Sequence, residues 1–159
     1  MRFTIRQRVF SWFDSFDIHD EEGNTAFTVK GKLSWGHNLH FFTPEGEDIA
    51  NIKEVVLTVF PKFEFYFQNE YLGMLRRRFS PLHPQYDMDF NGWHVDGDFL
   101  NWNWYIYDSG NNQIASIERK LFHLTDTYAI DVRNKEDVLY ALMIVVAIDA
   151  ERCTAAKAS

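Results

Sequence analysis

Near its C-terminus the chain carries eleven consecutive apolar residues, Val138 to Ile148, closed by Asp137 on one side and Asp149 on the other. The residues before this run keep a different rhythm. Phe63, Phe65 and Phe67 alternate with Lys62, Glu64, Tyr66 and Gln68, and Tyr128, Ile130 and Val132 alternate with Thr127, Ala129, Asp131 and Arg133. A period of two is the mark of a half-buried strand. A segment apolar on every side is a helix buried all round, so the strands must wrap it. Glu136 and Asp137 suit the first turn of that helix and Arg152 its last, which predicts a helix over 135–152. Eleven apolar residues fall short of the roughly 18–20 that cross a bilayer. Aspartates at both ends would be costly at membrane depth.

Turn signals divide the rest of the chain: Glu22-Gly23-Asn24, Pro44-Glu45-Gly46, Gln68-Asn69-Glu70, Asn91-Gly92 and Ser109-Gly110-Asn111-Asn112. The segments between them give about twelve strands, starting near 2, 13, 24, 39, 47, 62, 71, 85, 93, 102, 112 and 126. Twelve strands spaced about 4.8 Å and tilted about 40° close into a barrel of roughly 12 Å backbone radius. Inward side chains of about 6 Å leave a hole about 12 Å wide, the diameter of a helix with its side chains. The helix therefore fits as a plug, and an aromatic content of 17% suits strands that must fill the annulus around it. The expected fold is all-β with one helix, a single domain over 1–152 and a loose tail over 153–159.

An internal repeat supports a closed structure. Ile49-Ala50-Asn51-Ile52-Lys53 matches Ile114-Ala115-Ser116-Ile117-Glu118 at an offset of 65, and the same offset carries Phe63, Phe65 and Phe67 onto Tyr128, Ile130 and Val132. A shorter echo relates Gly23-Asn24-Thr25-Ala26-Phe27 to the segment from Gly110. Such a unit is long for a solenoid, so two related halves of one closed sheet are expected.

Composition removes several function classes. A formal net charge of −7 argues against non-specific nucleic-acid binding, which needs a basic footprint. One cysteine, Cys153, excludes a disulfide framework and a thiolate zinc cluster. With no apolar run of signal-peptide length behind Met1-Arg2-Phe3-Thr4-Ile5-Arg6-Gln7-Arg8, a cytoplasmic location is expected. There is no Gly-x-Ser-x-Gly elbow and no phosphate-cradling glycine loop. No cofactor is expected.

Trp93-His94-Val95-Asp96-Gly97-Asp98-Phe99, Tyr105-Ile106-Tyr107-Asp108 and Thr125-Asp126-Thr127-Tyr128-Ala129-Ile130-Asp131 carry a family resemblance. So do Ile5-Arg6-Gln7, Phe16-Asp17-Ile18 and Phe27-Thr28-Val29-Lys30-Gly31-Lys32 in the first half, and Val146-Ala147-Ile148-Asp149-Ala150 at the end. Over nearly its whole length the chain resembles the LURP-one-related family, within the tubby C-terminal-like superfamily that also includes phospholipid scramblases. The resemblance implies a twelve-stranded barrel around a central hydrophobic C-terminal helix. Tubby-type relatives bind phosphoinositide headgroups and scramblase relatives are linked to lipid. With no catalytic constellation and an interior plugged by its own helix, the chain is expected to be a non-enzymatic binding or scaffold domain, for an anionic lipid headgroup or a protein partner. Nothing in the chain resembles the acidic calcium-binding segment of scramblases.

The strongest local departure from the acidic average is Arg76-Arg77-Arg78. On a strand, Arg76 and Arg78 share one face and Arg77 points to the other. With Lys30 and Lys32 from an adjacent-looking strand they would form an anion patch. The acidic stretch Asp14, Asp17, Asp20, Glu21 and Glu22 would repel an anionic membrane if it lay on the same side. The alternative is a small enzyme or metal-binding protein with a rim site at His94, Asp96 and Asp98, three residues on one strand face. His37 and His40 read as a surface pair without neighbouring acids. His19, His83 and His123 are isolated, and Cys153 lacks the base and electropositive setting of a catalytic thiol.

Overall fold

The alternation of large apolar and polar residues sends one face of every strand inward and the other to solvent. The computed structural model describes residues 1–6, 15–80, 83–98, 103–121 and 126–158. The strands are β1 (Arg2–Arg6), β2 (Ser15–Asp20), β3 (Thr25–Gly31), β4 (Asn38–Phe42), β5 (Asp48–Glu54) and β6 (Lys62–Phe67). They continue with β7 (Glu70–Arg78), β8 (Gln85–Met88), β9 (His94–Asp98), β10 (Asn103–Tyr107), β11 (Gln113–Leu121) and β12 (Asp126–Val132). Each pairs antiparallel with its sequence neighbours, and β1 pairs with β12 through Phe3 opposite Ile130, so the sheet closes into a barrel.

A short 3₁₀ turn (Lys135–Asp137) leads into helix α1 (Val138–Ala158), which runs through the barrel. Residues Ala141 to Ile148 of α1 are all buried, against Ile18, Val29, Phe41, Ile52, Phe65 and Ile106 from the walls. Many outward positions are charged, as with Arg2, Lys30, Arg78 and Asp131, beside aromatic ones such as Phe42, Tyr66 and Tyr105. No described helix is long and apolar enough to cross a membrane.

The helix continues to Ala158, past the end expected at Arg152. The reason is local: Ala155, Ala156 and Ala158 are strong helix formers, and no Gly or Pro follows Arg152. The predicted strand near 13 begins at Ser15, and Asp14, Phe99, His123 and the Cys153 side chain lie outside what is described.

The 65-residue repeat has a structural counterpart: it carries β5 and β6 onto β11 and β12, six strands round the barrel. Bulges fall at the same offset, between Phe41 and Phe42 on β4 and between Ile106 and Tyr107 on β10. The shorter echo is turn chemistry instead. Asp20 and Asp108 each close their hairpin by accepting backbone N–H bonds, from Glu22 and Asn24 and from Gly110 and Asn112, at 2.8–3.0 Å.

Candidate functional site

Antiparallel closure places successive connections at opposite ends of the barrel. One end, the turn end, carries the hairpins after β2, β4, β6, β8 and β10 and the start of α1. The other, the loop end, carries the segments after β3, β5 and β7 and receives the last turns of α1. There His37 Nε2 lies 2.9 Å from Thr154 Oγ1.

Charge is unevenly spread between the two ends, with Arg133 and Lys135 also exposed at the turn end and Glu118 exposed two residues from Lys120. Glu21 and Glu22 after β2, Glu45 and Glu47 after β4, and Glu136 before α1 are exposed at the turn end. At the loop end Arg6 closes β1, Lys53 lies one residue from the end of β5, Lys62 opens β6, Arg78 closes β7 and Lys120 nearly closes β11. Arg6, Lys53, Lys62 and Lys120 form no ion pair among the described residues. The acidic stretch at Asp17–Glu22 leads away from these cations. The uneven spread also complements the dipole of α1, whose positive end meets these glutamates and whose negative end meets the cations.

The four cations expected to form one patch lie on two separate walls. Three strands, β4, β5 and β6, stand between β3 and β7, so the adjacency expected for Lys30 and Lys32 with Arg76 and Arg78 does not hold. At about 4.8 Å per strand the two walls are roughly 20 Å apart. In an up-and-down barrel each strand pairs only with its sequence neighbours, so similar charge pattern on β3 and β7 does not bring them together. Lys30 and Lys32 lay their ammonium groups over the Phe42 ring, at 5.0 and 5.9 Å from its centroid, and Lys32 Nζ also meets Asp48 at 3.0 Å. Arg78 grips Asp87 with two bonds of 2.9 and 2.6 Å, whereas Arg76 reaches Asp89 only at 3.9 Å. Lys30 and Arg76 are therefore the least neutralised of the four.

Arg77 points inward, as alternation requires. Its Nη1 donates to Glu151 Oε1 at 2.6 Å, and the Tyr86 hydroxyl donates to Glu151 Oε2. Glu151 is 7% exposed. Burial, reinforced by this carboxylate, pushes the Tyr86 phenol well above its ordinary range. Tyr128 behaves alike, raised first by burial and then by Asp149, to which it donates at 3.0 Å. Burial also lowers Arg152, on the same turn of α1. This cluster ties the exit of the helix to the wall.

His94, Asp96 and Asp98 do share the outer face of β9. The His94 ring stacks on Tyr107, with centroids 5.4 Å apart, and among the described residues no three His, Cys, Asp or Glu side chains gather as a metal-holding group. His37 and His40 are half-buried, and the expectation that no acid neighbours them fails at both, since the His37 backbone N–H donates to Glu54. The β4–β5 hairpin brings Asp48 to 2.8 Å from His40 Nδ1. A small cavity of about 20 Å³, partly open to solvent, lies between α1 and β10–β12, lined by Trp104, Ile117, Tyr128, Val145, Ile148, Asp149 and Arg152. It is smaller than most small-molecule sites, about 300–1,000 Å³.

Sequence reasoning missed the apolar tips of the loop end. Leu57 is 96% exposed, Val59 90%, Leu33 86%, Trp35 83% and Phe79 73%. They stand on three connections, after β3, β5 and β7, which touch one another. The Phe60 and Phe79 rings meet edge to face at 6.1 Å, and His37 N donates to Glu54 Oε2 at 3.0 Å. The available signal was apolar residues inside turn-forming segments, Ser34-Trp35-Gly36 and Leu57-Thr58-Val59-Phe60-Pro61.

A family model described as LURP-one-related matches residues 1–149. The chain is 24% identical over 146 residues to the uncharacterized protein YxjI of Bacillus subtilis (strain 168), covering 91% of this chain and 90% of that one. The X-ray structure of an Arabidopsis thaliana protein, AT5G01750, superposes with a TM-score of 0.63 at 17% identity, covering 94% of this chain and 91% of that one. At that identity the likeness is one of fold.

Proposed function

The chain belongs to the LURP-one-related family, and on that premise we propose that it is a non-enzymatic binding domain that docks on anionic lipid headgroups with the loop end of its barrel. The observation that carries this reading is the uneven spread of charge along the barrel axis. A chain of net charge −7 would be repelled by an anionic surface as a whole. With Glu21, Glu22, Glu45, Glu47 and Glu136 at the turn end, it meets such a surface through Arg6, Lys53, Lys62 and Lys120 at the loop end. Lys30, Lys32, Arg76 and Arg78 extend the cationic character along two walls. Lys30 and Arg76, the least neutralised of these, are assigned the headgroup contacts. A lone cysteine suits the reducing cytoplasm, where anionic lipid faces the protein.

Co-sedimentation with phosphatidylcholine vesicles, with and without phosphatidylserine, tests the reading at low and physiological salt. Binding is expected to require phosphatidylserine, to weaken with salt, and to fall in Lys30→Glu/Arg76→Glu. Equal binding to both vesicle types, or none to either, removes the headgroup reading. In the latter case an acidic protein partner for the same cations becomes the one to seek.

A further inference from the structure

We propose that the loop end also inserts into the bilayer interface, with Leu33, Trp35, Leu57, Val59 and Phe79 at the boundary of headgroups and acyl chains. This rests on the lipid reading above and adds a second, apolar mode of attachment to it.

Large apolar side chains exposed singly are ordinary, but a contiguous exposed group marks an interaction surface. Here five sit at the tips of three touching connections, all at one end of the barrel. The shape favours a fluid partner. The side chains protrude from separate tips rather than lining a groove, and a bilayer interface closes around each protrusion, whereas a folded protein would need a matching socket for each. Trp35 is the residue type that prefers the headgroup level, with an apolar ring and an N–H donor. The cations at the neighbouring strand ends lie where anionic headgroups would meet them, and the exposed acids of the turn end point away. Leu57 adds a further sign. It holds φ of 62°, a conformation that favours Gly and Asn, while exposing nearly its whole side chain. Backbone strain of this kind clusters at functional sites.

Leu57→Asn/Val59→Ser tests insertion without threatening the fold, because Asn suits the positive φ and both side chains already face water. Phosphatidylserine-containing vesicles should bind this variant about tenfold or more weakly than wild type at physiological salt. At low salt, where attraction between charges dominates, the difference should narrow. Brominated acyl chains should quench wild-type tryptophan emission, and Trp35→Phe should lose most of that quenching. Suppose instead that wild type binds, Lys30→Glu/Arg76→Glu does not, and Leu57→Asn/Val59→Ser binds like wild type without bromolipid quenching. Insertion is then overturned while the headgroup reading stands. Absence of vesicle binding in every variant defeats both. Light scattering that shows a dimer, split by Leu57→Asn/Val59→Ser, would assign the tips to a second copy of the chain and overturn the proposal.

Discussion

Arg77 Nη1 and Glu151 Oε1 stand 2.6 Å apart, joining β7 to the last turns of the helix inside the barrel. The pair explains how a helix that is apolar from Val138 to Ile148 is held at one depth. Apolar packing alone resists sliding weakly, whereas a hydrogen-bonded carboxylate has one position. Replacing Glu151 by Ala leaves a guanidinium and the Tyr86 hydroxyl without their acceptor. The Arg77 side chain is 34% exposed, so water recovers part of the loss. The expected destabilisation is about 2–4 kcal/mol, read as a lower urea midpoint at unchanged slope. Tyr86→Phe should cost about 1 kcal/mol. A Glu151→Ala protein as stable as wild type would remove the anchoring role.

Gly97 on β9 pairs with Trp104 on β10, and a methyl group at Gly97 would enter the Trp104 ring. Gly97→Ala should therefore cost about 1–3 kcal/mol by overpacking. The same change in a Trp104→Leu background should cost less, and the difference between the two is the coupling. Equal costs in both backgrounds would show that the ring is not what excludes the methyl.

Burial holds the His40 imidazole below its ordinary value, opposed by the carboxylate of Asp48. The folded protein therefore binds this proton less tightly than the unfolded chain. Its contribution to stability is full above the unfolded value, about 6.5, and is lost as pH falls toward the lower folded value. Proton NMR should place the His40 midpoint below that of a free imidazole, and Asp48→Asn should lower it further. A midpoint above the free value would mean that the carboxylate outweighs burial.

Ile144 is fully buried in the first third of the helix. Ile144→Asp places a carboxylate there with no partner, a cost of several kcal/mol against a total stability of about 5–15 kcal/mol. The variant should be unfolded by circular dichroism at neutral pH. A native spectrum would contradict the central position of this helix.

Much of the architecture was legible because it depends on local periodicity. The alternation in Phe63-Glu64-Phe65 and the all-round apolarity of Val138 to Ile148 each state what a segment must bury. The dimensions of a helix and of a barrel then leave one way to combine them. Even the opposite facing of Arg77 to Arg76 and Arg78 follows from the strand period. The separation of Lys30 and Lys32 from Arg76 and Arg78 was not legible in the charge pattern, because it depends on the strand order round the barrel. Nor was the Asp48 partner of His40, which a hairpin register with a bulge brings into place.

The amino-acid sequence by itself determined strands around a buried helix, since side-chain spacing sets which faces must leave water. Only the tertiary structure decided where the charges and the exposed apolar residues lie relative to one another. Closure of the sheet sends alternate connections to opposite ends, and so gathers Glu21, Glu22, Glu45 and Glu47 at one end and Arg6, Lys53 and Lys62 at the other. It also brings Trp35, Leu57 and Phe79 to one end, from connections that the sequence separates by whole strands.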